Sequence, residues 1–442
     1  MIIKISDLLN SLLYIKVFNI PFIILWVIIT GVFCTVRFKF VNFRLFKYGI
    51  QTLCSSKCNK DNGILTHIQA FATVISGTVG LGTISGVAIA ITIGGPSAVF
   101  WMVVTGVLGM SIKFAEVVLA FTYRSEKSTG GAFYYMKHGL AKIGLTKTGT
   151  ILASIYAITL IIAMIFGGIP FQANQMAALS NNLFEYNASI IISLFVLIII
   201  LGGIKRIAFV TTNLAPIMII LYIGMCIYII YLNKSNLLNA LSIIFQDIFN
   251  KSAVEGGVLS GLIAGVRRSV FANEAGTGTA AIAHSTVKEV NPIKVGSVAM
   301  IAPFVDTIII SFLTGVVIII TGMHDINNVG DITLISSIFS TALPLFSKSV
   351  LPLIIFSFAF STIIAYCYYC EVALLYLFDN KKILILFQIF IVISVYISCT
   401  SKNIEFISYL GDGLFMCLVV PNTIAIYLLR KEILNTINNY KR

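Results

Sequence analysis

Charge is what this chain has least of. Only 11% of its 442 residues are Asp, Glu, Lys or Arg, against 58% hydrophobic, and the mean hydropathy of +0.99 lies beyond ordinary soluble domains. Metal-binding patterns are missing too. Four histidines (His67, His138, His284, His324) show no ligand spacing, and Cys54 and Cys58 sit in a basic loop with no His or further Cys pair nearby. Cys226, Cys367, Cys370, Cys399 and Cys417 fall inside apolar runs, as small packing residues do. There is no His-Glu-x-x-His, no Gly-x-Ser-x-Gly and no paired aspartate within an apolar run, which argues against an intramembrane enzyme. The first apolar run, 17–36, is too long for a signal-peptide core, lacks a small-x-small cleavage site, and is followed by more such runs. No low-complexity tract or soluble domain is evident.

What remains is a series of continuous apolar runs. Strands of a membrane barrel would alternate polar and apolar, so an all-α polytopic membrane protein is expected. Counting about twenty residues per crossing puts spans near 17–36, 66–92, 96–122, 150–178, 187–203, 208–232, 256–287, 296–321, 349–378, 382–399 and 407–429. That is about eleven. Residues 323–347 read as a longer loop with Pro344 and a surface helix. The net charge of +13 does not point to nucleic acid, because 21 of the 30 Lys and Arg residues lie in loops on one side. Those loops are cytoplasmic by the positive-inside rule, with the N-terminus outside and the C-terminus inside.

Residues 76–86 hold four glycines, and a second glycine-broken stretch spans 271–279. A helix is expected to break at each, and irregular backbone at membrane depth is tolerated only inside protein or along a cavity. With the first span set aside, the breaks fall in the first and sixth of ten crossings and run in opposite directions. This implies one transmembrane domain over 1–442: an extra N-terminal helix (17–36), a first repeat (64–232) and an inverted second repeat (253–430), with a site where the breaks face each other.

An unwound segment offers amides at one half-helix start and carbonyls at the other half-helix end. The carbonyls of Ser76 and Val79 suit sodium, and the amides of Leu81 and Gly82 suit a carboxylate. Phe271 can wall the pocket, while the carbonyls of Phe271 and Ala272, with Asn273, suit an ammonium group. Ser361 and Thr362, with a carbonyl one turn earlier at Phe358, can complete a sodium shell; their alternative is back-bonding to the preceding turn. Lys113 and Glu116, three apart, read as a structural ion pair. Glu274 lies within the second break and Asp306 is isolated near mid-span. Glu274 can there bind substrate, bind a cation, carry a proton or stitch the break to a neighbouring helix, and either residue can serve a proton-coupled mechanism.

The strings "SGTVGLGTISGVAIAITIGGPSAVFWM", "KFAE" with "YR", "LGGIKRIA", "VFANEAGTGTAAIAH" with "FVDT", and "FAFSTIIAYCYYCE" resemble the alanine or glycine:cation symporters, the sodium:alanine symporter group of the amino acid–polyamine–organocation superfamily. The likeness covers about residues 64–430. It implies the leucine-transporter-type fold, five-plus-five with one added helix. It also implies a substrate carboxylate at Gly80, Leu81 and Gly82, sodium among Ser76, Val79, Ser361 and Thr362, walls at Phe271, Ala272 and Asn273, and Gln172 and Asn174 facing the pocket. Leu81 and Thr83 depart from the family's "VGTGN" pattern, and Ala365-Tyr366 replaces its Gly-Trp. Thr83 and Tyr366 are therefore placed in the pocket with substrate identity least fixed.

The resulting expectation is a monomeric carrier in the inner membrane of a prokaryote, coupling sodium to uptake of alanine or glycine. It has no catalytic residues, no organic cofactor and no nucleic-acid partner; its surroundings are the lipid bilayer. A proton-coupled or different-solute carrier of the same fold is the nearest alternative; a channel and an intramembrane enzyme are the others.

Overall fold

The computed structural model describes residues 15–17, 19–55, 63–126, 129–180, 187–248, 257–325, 331–378, 380–401 and 404–440. The described residues are helical almost throughout; the exceptions in pairing among them are a hairpin of Lys16–Val17 with Ile20–Pro21 and a single bridge between Leu65 and Val287. Among the described residues, seven helices are long and apolar enough to cross a membrane: Ser97–Thr122, Thr146–Ala178, Gly203–Leu232, Pro292–Ile320, Pro344–Phe378, Lys382–Thr400 and Phe406–Leu428. The pair His67–Thr78 and Leu81–Gly94, bent by 58°, makes an eighth.

The other three expected crossings are helical but shorter. The first starts only at Phe22, because the hairpin and Pro21 occupy its predicted beginning, and it ends at Arg37. The run 187–203 stops at Ile200, where Gly203 takes φ +62° and turns the chain into the next helix. The run 256–287 is divided into Gly257–Asn273 and Ala280–His284 by the second break. In the 323–347 loop the expected helix is Ile332–Ala342, capped by Asp331 Oδ1 accepting the Thr333 N–H at 2.8 Å. Its Ile332, Ile335, Ile338 and Phe339 are buried at three-to-four spacing, so it packs on the bundle with one face. The amphipathic helices Leu237–Asp247 and Arg430–Tyr440 were not legible from hydropathy alone.

Lipid offers no hydrophobic drive between helices, so close backbone approach has to hold them together. A Cβ at Gly94 would sit 2.7 Å from Ala264 Cβ, and one at Gly261 would sit 3.0 Å from the Gly94 carbonyl oxygen. Two such approaches bring the broken helices side by side at one end. At the other end, Ile64 N–H donates to the Thr286 carbonyl (2.7 Å) and Lys288 N–H to the Leu65 carbonyl (2.8 Å). Arg124 then forks onto the carbonyls of Ser285, Val287 and Glu289 at 3.1, 2.8 and 3.0 Å. Burial pushes the Glu289 carboxyl up, but the N–H groups of Val290 and Asn291, together with His67 and Lys294, hold it below the usual carboxylate range. The two broken helices are thus tied at both ends.

Helix contacts elsewhere follow a repeated scheme. His67–Thr78 lies on Gly203–Leu232 as Gly257–Asn273 lies on Ile404–Leu428, and Thr146–Ala163 meets Ile404–Leu428 as Pro344–Phe378 meets Gly203–Leu232.

Candidate functional site

The first break opens where the helix capped by the Thr66/Gln69 box runs out at Thr78. Val79 still donates its N–H to the Ile75 carbonyl (2.6 Å), Gly80 is extended, and a tight turn spans Leu81–Thr83. Thr83 Oγ1 folds back on the Gly80 carbonyl at 2.7 Å. A Cβ at Gly80 would lie 2.5 Å from Thr362 Oγ1 and 2.9 Å from Gln172 Nε2, so the site closes on bare backbone here. Gln172 Oε1 accepts the Leu81 N–H at 2.9 Å, which is the amide expected to meet a carboxylate.

Oxygen atoms converge beside this turn. Thr362 Oγ1 stands 2.7 Å from the Ser76 carbonyl oxygen and 2.9 Å from that of Phe358. Ser361 Oγ stands 3.0 Å from the Phe358 carbonyl, and Ser76 Oγ is buried without a hydrogen-bond partner. Ser361 therefore does what simple back-bonding predicts, whereas Thr362 also reaches across to another helix. One hydroxyl hydrogen can serve only one of two carbonyls at a time. A small hard cation would be served by both carbonyls and the hydroxyls together.

The second break begins after Asn273. Glu274, Gly276 and Gly278 take φ of +54°, +92° and +79°, and the helix resumes at Ala280. The breaks meet: a Cβ at Gly82 would lie 3.1 Å from Phe271 Cδ1 and 3.5 Å from Ala272 Cα. The Phe271 ring packs at 5.0 Å on Phe171 and 4.8 Å on Phe415, with Tyr366 6.0 Å from Phe415 and its hydroxyl turned to Glu274. One turn before Phe271, Arg267 and Arg268 pair with Asp412 at 2.6 and 3.3 Å, and Arg268 lies 5.8 Å from the rings of both Phe171 and Phe271.

The structure gathers most of the predicted site residues and places two elsewhere than expected. Asn273 turns its side chain into the break itself, accepting from Ala275 N–H (2.9 Å) and donating to Ser269 Oγ (3.0 Å). Asn174 donates to the Ser401 carbonyl at 2.6 Å, closing the end of the Lys381–Thr400 helix rather than joining the breaks. Lys113 and Glu116 are not paired. Lys113 Nζ donates to the Asn273 carbonyl (2.5 Å), and Glu116 Oε1 accepts from Gly278 N–H (3.1 Å) and Asn422 Nδ2 (2.7 Å). Asn422, which sequence reasoning missed, also donates to the Gly276 carbonyl at 2.7 Å. Its one readable signal was an amide within an apolar run. Among the described residues no cluster of three or more His, Cys, Asp or Glu has the arrangement of a metal centre.

The model of the sodium:alanine symporter family matches residues 4–442. The chain is 32% identical over 421 residues to the sodium/alanine symporter AgcS of Methanococcus maripaludis, covering 92% of each. It is 30% identical over 420 residues to the "Probable sodium/glutamine symporter GlnT" of Bacillus subtilis, covering 93% of this chain and 86% of that one. Among solved structures, MhsT in complex with L-phenylalanine aligns with a TM-score of 0.60 at 15% identity over 83% of this chain and 89% of that one. A Na+-coupled sialic acid symporter aligns with a TM-score of 0.51 at 12% identity over 94% and 86%. Both share the leucine-transporter-type fold with this all-helical, multi-pass membrane protein. The chain belongs to the sodium:alanine symporter family, a family of transporters and not of enzymes.

Proposed function

We propose that this protein couples inward sodium flow to uptake of a small neutral amino acid, alanine or glycine, as a monomer in the inner membrane of a prokaryote. The observation that carries the reading is Thr362 Oγ1, shared between the Ser76 and Phe358 carbonyls beside the bare Gly80 turn. Sodium sits among Ser76, Val79, Phe358, Ser361 and Thr362. The substrate carboxylate takes the amides at Gly80, Leu81 and Gly82, with Gln172 yielding the Leu81 N–H. The ammonium group faces the carbonyls of Phe271 and Ala272, with Thr83 and Tyr366 beside it. A pocket walled by Phe271, Phe415 and Tyr366, with Tyr366 pressed on Gly168, favours a small side chain.

The repeated contact scheme supports a five-plus-five inverted repeat within eleven crossings, and the loop charges support an outside N-terminus and a cytoplasmic C-terminus. In that orientation the Arg267/Arg268–Asp412 ion pairs lie on the outer side of Phe271 and the Leu65–Val287 bridge on the inner side, so the two close opposite ends of the site. The drive suffices: a tenfold sodium gradient (about 1.4 kcal/mol) and 100 mV on one charge (about 2.3 kcal/mol) support roughly 500-fold accumulation.

Uptake of radiolabelled alanine, glycine and glutamine into proteoliposomes, under an imposed sodium gradient or an imposed proton gradient, tests this reading. Sodium-driven, saturable uptake of alanine or glycine is expected. Uptake driven by protons with no sodium present would replace it with the proton-coupled alternative, and glutamine preference would reassign the cargo.

A further inference from the structure

Four positions on one face of the Ser97–Thr122 helix, Gly106, Gly109, Lys113 and Glu116, follow a three-four-three spacing, and all four meet the second break or its neighbour. Gly106 abuts Thr307, a Cβ at Gly109 would lie 2.8 Å from Ala275 Cβ, Lys113 Nζ takes the Asn273 carbonyl at 2.5 Å, and Glu116 takes the Gly278 N–H at 3.1 Å. The two glycines let the helix approach closely enough for the two charged side chains to reach the break. Each charge suits the end it meets. The ammonium lies on the carbonyl that closes the half-helix Gly257–Asn273, and the carboxylate lies on an amide just ahead of Ala280–His284.

The Lys113 ammonium is fully buried and lies within electrostatic reach of three equally buried carboxylates, Glu116, Glu274 and Asp306. Three carboxylate oxygens here, Glu116 Oε2, Glu274 Oε1 and Asp306 Oδ2, are buried and make no geometric hydrogen bond, although Tyr366 faces Glu274 and Thr78 faces Asp306. Asp306 itself stands in a π-helical turn, Phe304–Ser311, the kind of local unwinding often found at functional positions. A helix-end carbonyl with free carboxylate oxygens around it is the donor set of a cation site, and carboxylates buried at this density are accommodated by positive charge among them or by protonation.

We propose that Lys113 is a built-in cation: its ammonium fills, in the second break, a position that would otherwise take an exchangeable monovalent cation, so that transport moves one sodium ion, bound at the first break. This rests on the sodium-symport reading above. Lys113 is a positioning residue in this account. It holds the Asn273 carbonyl and leaves Phe271 and Ala272 to the substrate.

The test is the ratio of radiolabelled sodium to radiolabelled amino-acid flux in proteoliposomes, for the wild type, Lys113→Met, and Lys113→Met combined with Asp306→Asn. One sodium per amino acid is expected for the wild type. Lys113→Met is expected to move a second sodium with a steeper sodium dependence, and the added Asp306→Asn to lose that second ion. A wild-type ratio of two overturns the inference while leaving sodium symport standing, as does a ratio of one in Lys113→Met. Absence of any sodium flux in the wild type overturns both. Should Lys113→Met not fold, as judged by monodispersity on size exclusion, the wild-type ratio decides alone.

Discussion

Gln172 and Thr362 both lie against Gly80, and on the proposed reading one serves the carboxylate and the other the cation of the first break. Thr362 was readable as an oxygen donor in an apolar run, but its neighbour Ser361 looked equivalent. Only the fold separates them, because Ser361 bonds within its own helix and Thr362 reaches Ser76. Gln172 already holds the Leu81 amide with a neutral oxygen, so replacing it by Glu puts a negative charge where the proposal seats the substrate carboxylate. Two like charges about 4 Å apart repel by roughly 4 kcal/mol at an effective dielectric of 20, and even a third of that is tenfold in binding. Gln172→Glu should therefore raise the amino-acid KM by at least about tenfold while the protein remains monodisperse, as measured by uptake against substrate concentration. An unchanged KM would remove Gln172 from the pocket. Asn174 marks the limit of reading by pattern. It stands two residues from Gln172, about 200° around a helix, and the structure turns it to Ser401.

The broken helices were the elements most legible in the sequence. Glycine density placed both interruptions, and the structure opens the chain at Gly80 and from Glu274 to Gly278. What spacing could not tell was how the second break is held. Lys113 and Glu116 are near enough on a helix to pair, but backbone groups freed by unwinding are stronger claimants in a medium without water, and each side chain serves one end of the break. At Gly278, φ of +79° coincides with a Cβ position only 2.8 Å from the Tyr156 hydroxyl. Gly278→Ala should cost about 1–3 kcal/mol through backbone strain and that clash, seen as a fall of several degrees in apparent melting temperature together with reduced uptake. Gly203→Ala is the matched comparison: φ is +62° but nothing lies within 4 Å. Equal losses at the two positions would mean that the Tyr156 contact contributes nothing.

At the scale of the whole molecule, hydropathy and loop charge outlined the bundle, while the amphipathic helices Leu237–Asp247 and Arg430–Tyr440 escaped because their apolar faces are too narrow for a window average. The tie between the Leu65 and Thr286 ends of the broken helices was equally invisible, since it is made of backbone groups at Ile64, Leu65, Thr286 and Lys288 and of Arg124, whose partners are carbonyls. The two broken helices are joined at both ends and touch at Gly82 and Phe271; on the proposed reading, an ion at the first break would thereby govern a substrate held between them. That coupling is the centre of the account. Its most direct test is alanine uptake titrated against external sodium in proteoliposomes, wild type beside Thr362→Ala, with matched reconstitution. Steep sodium dependence in the wild type and at least about a tenfold higher half-saturating sodium in Thr362→Ala are predicted. A Thr362→Ala protein that keeps the wild-type sodium curve would contradict it.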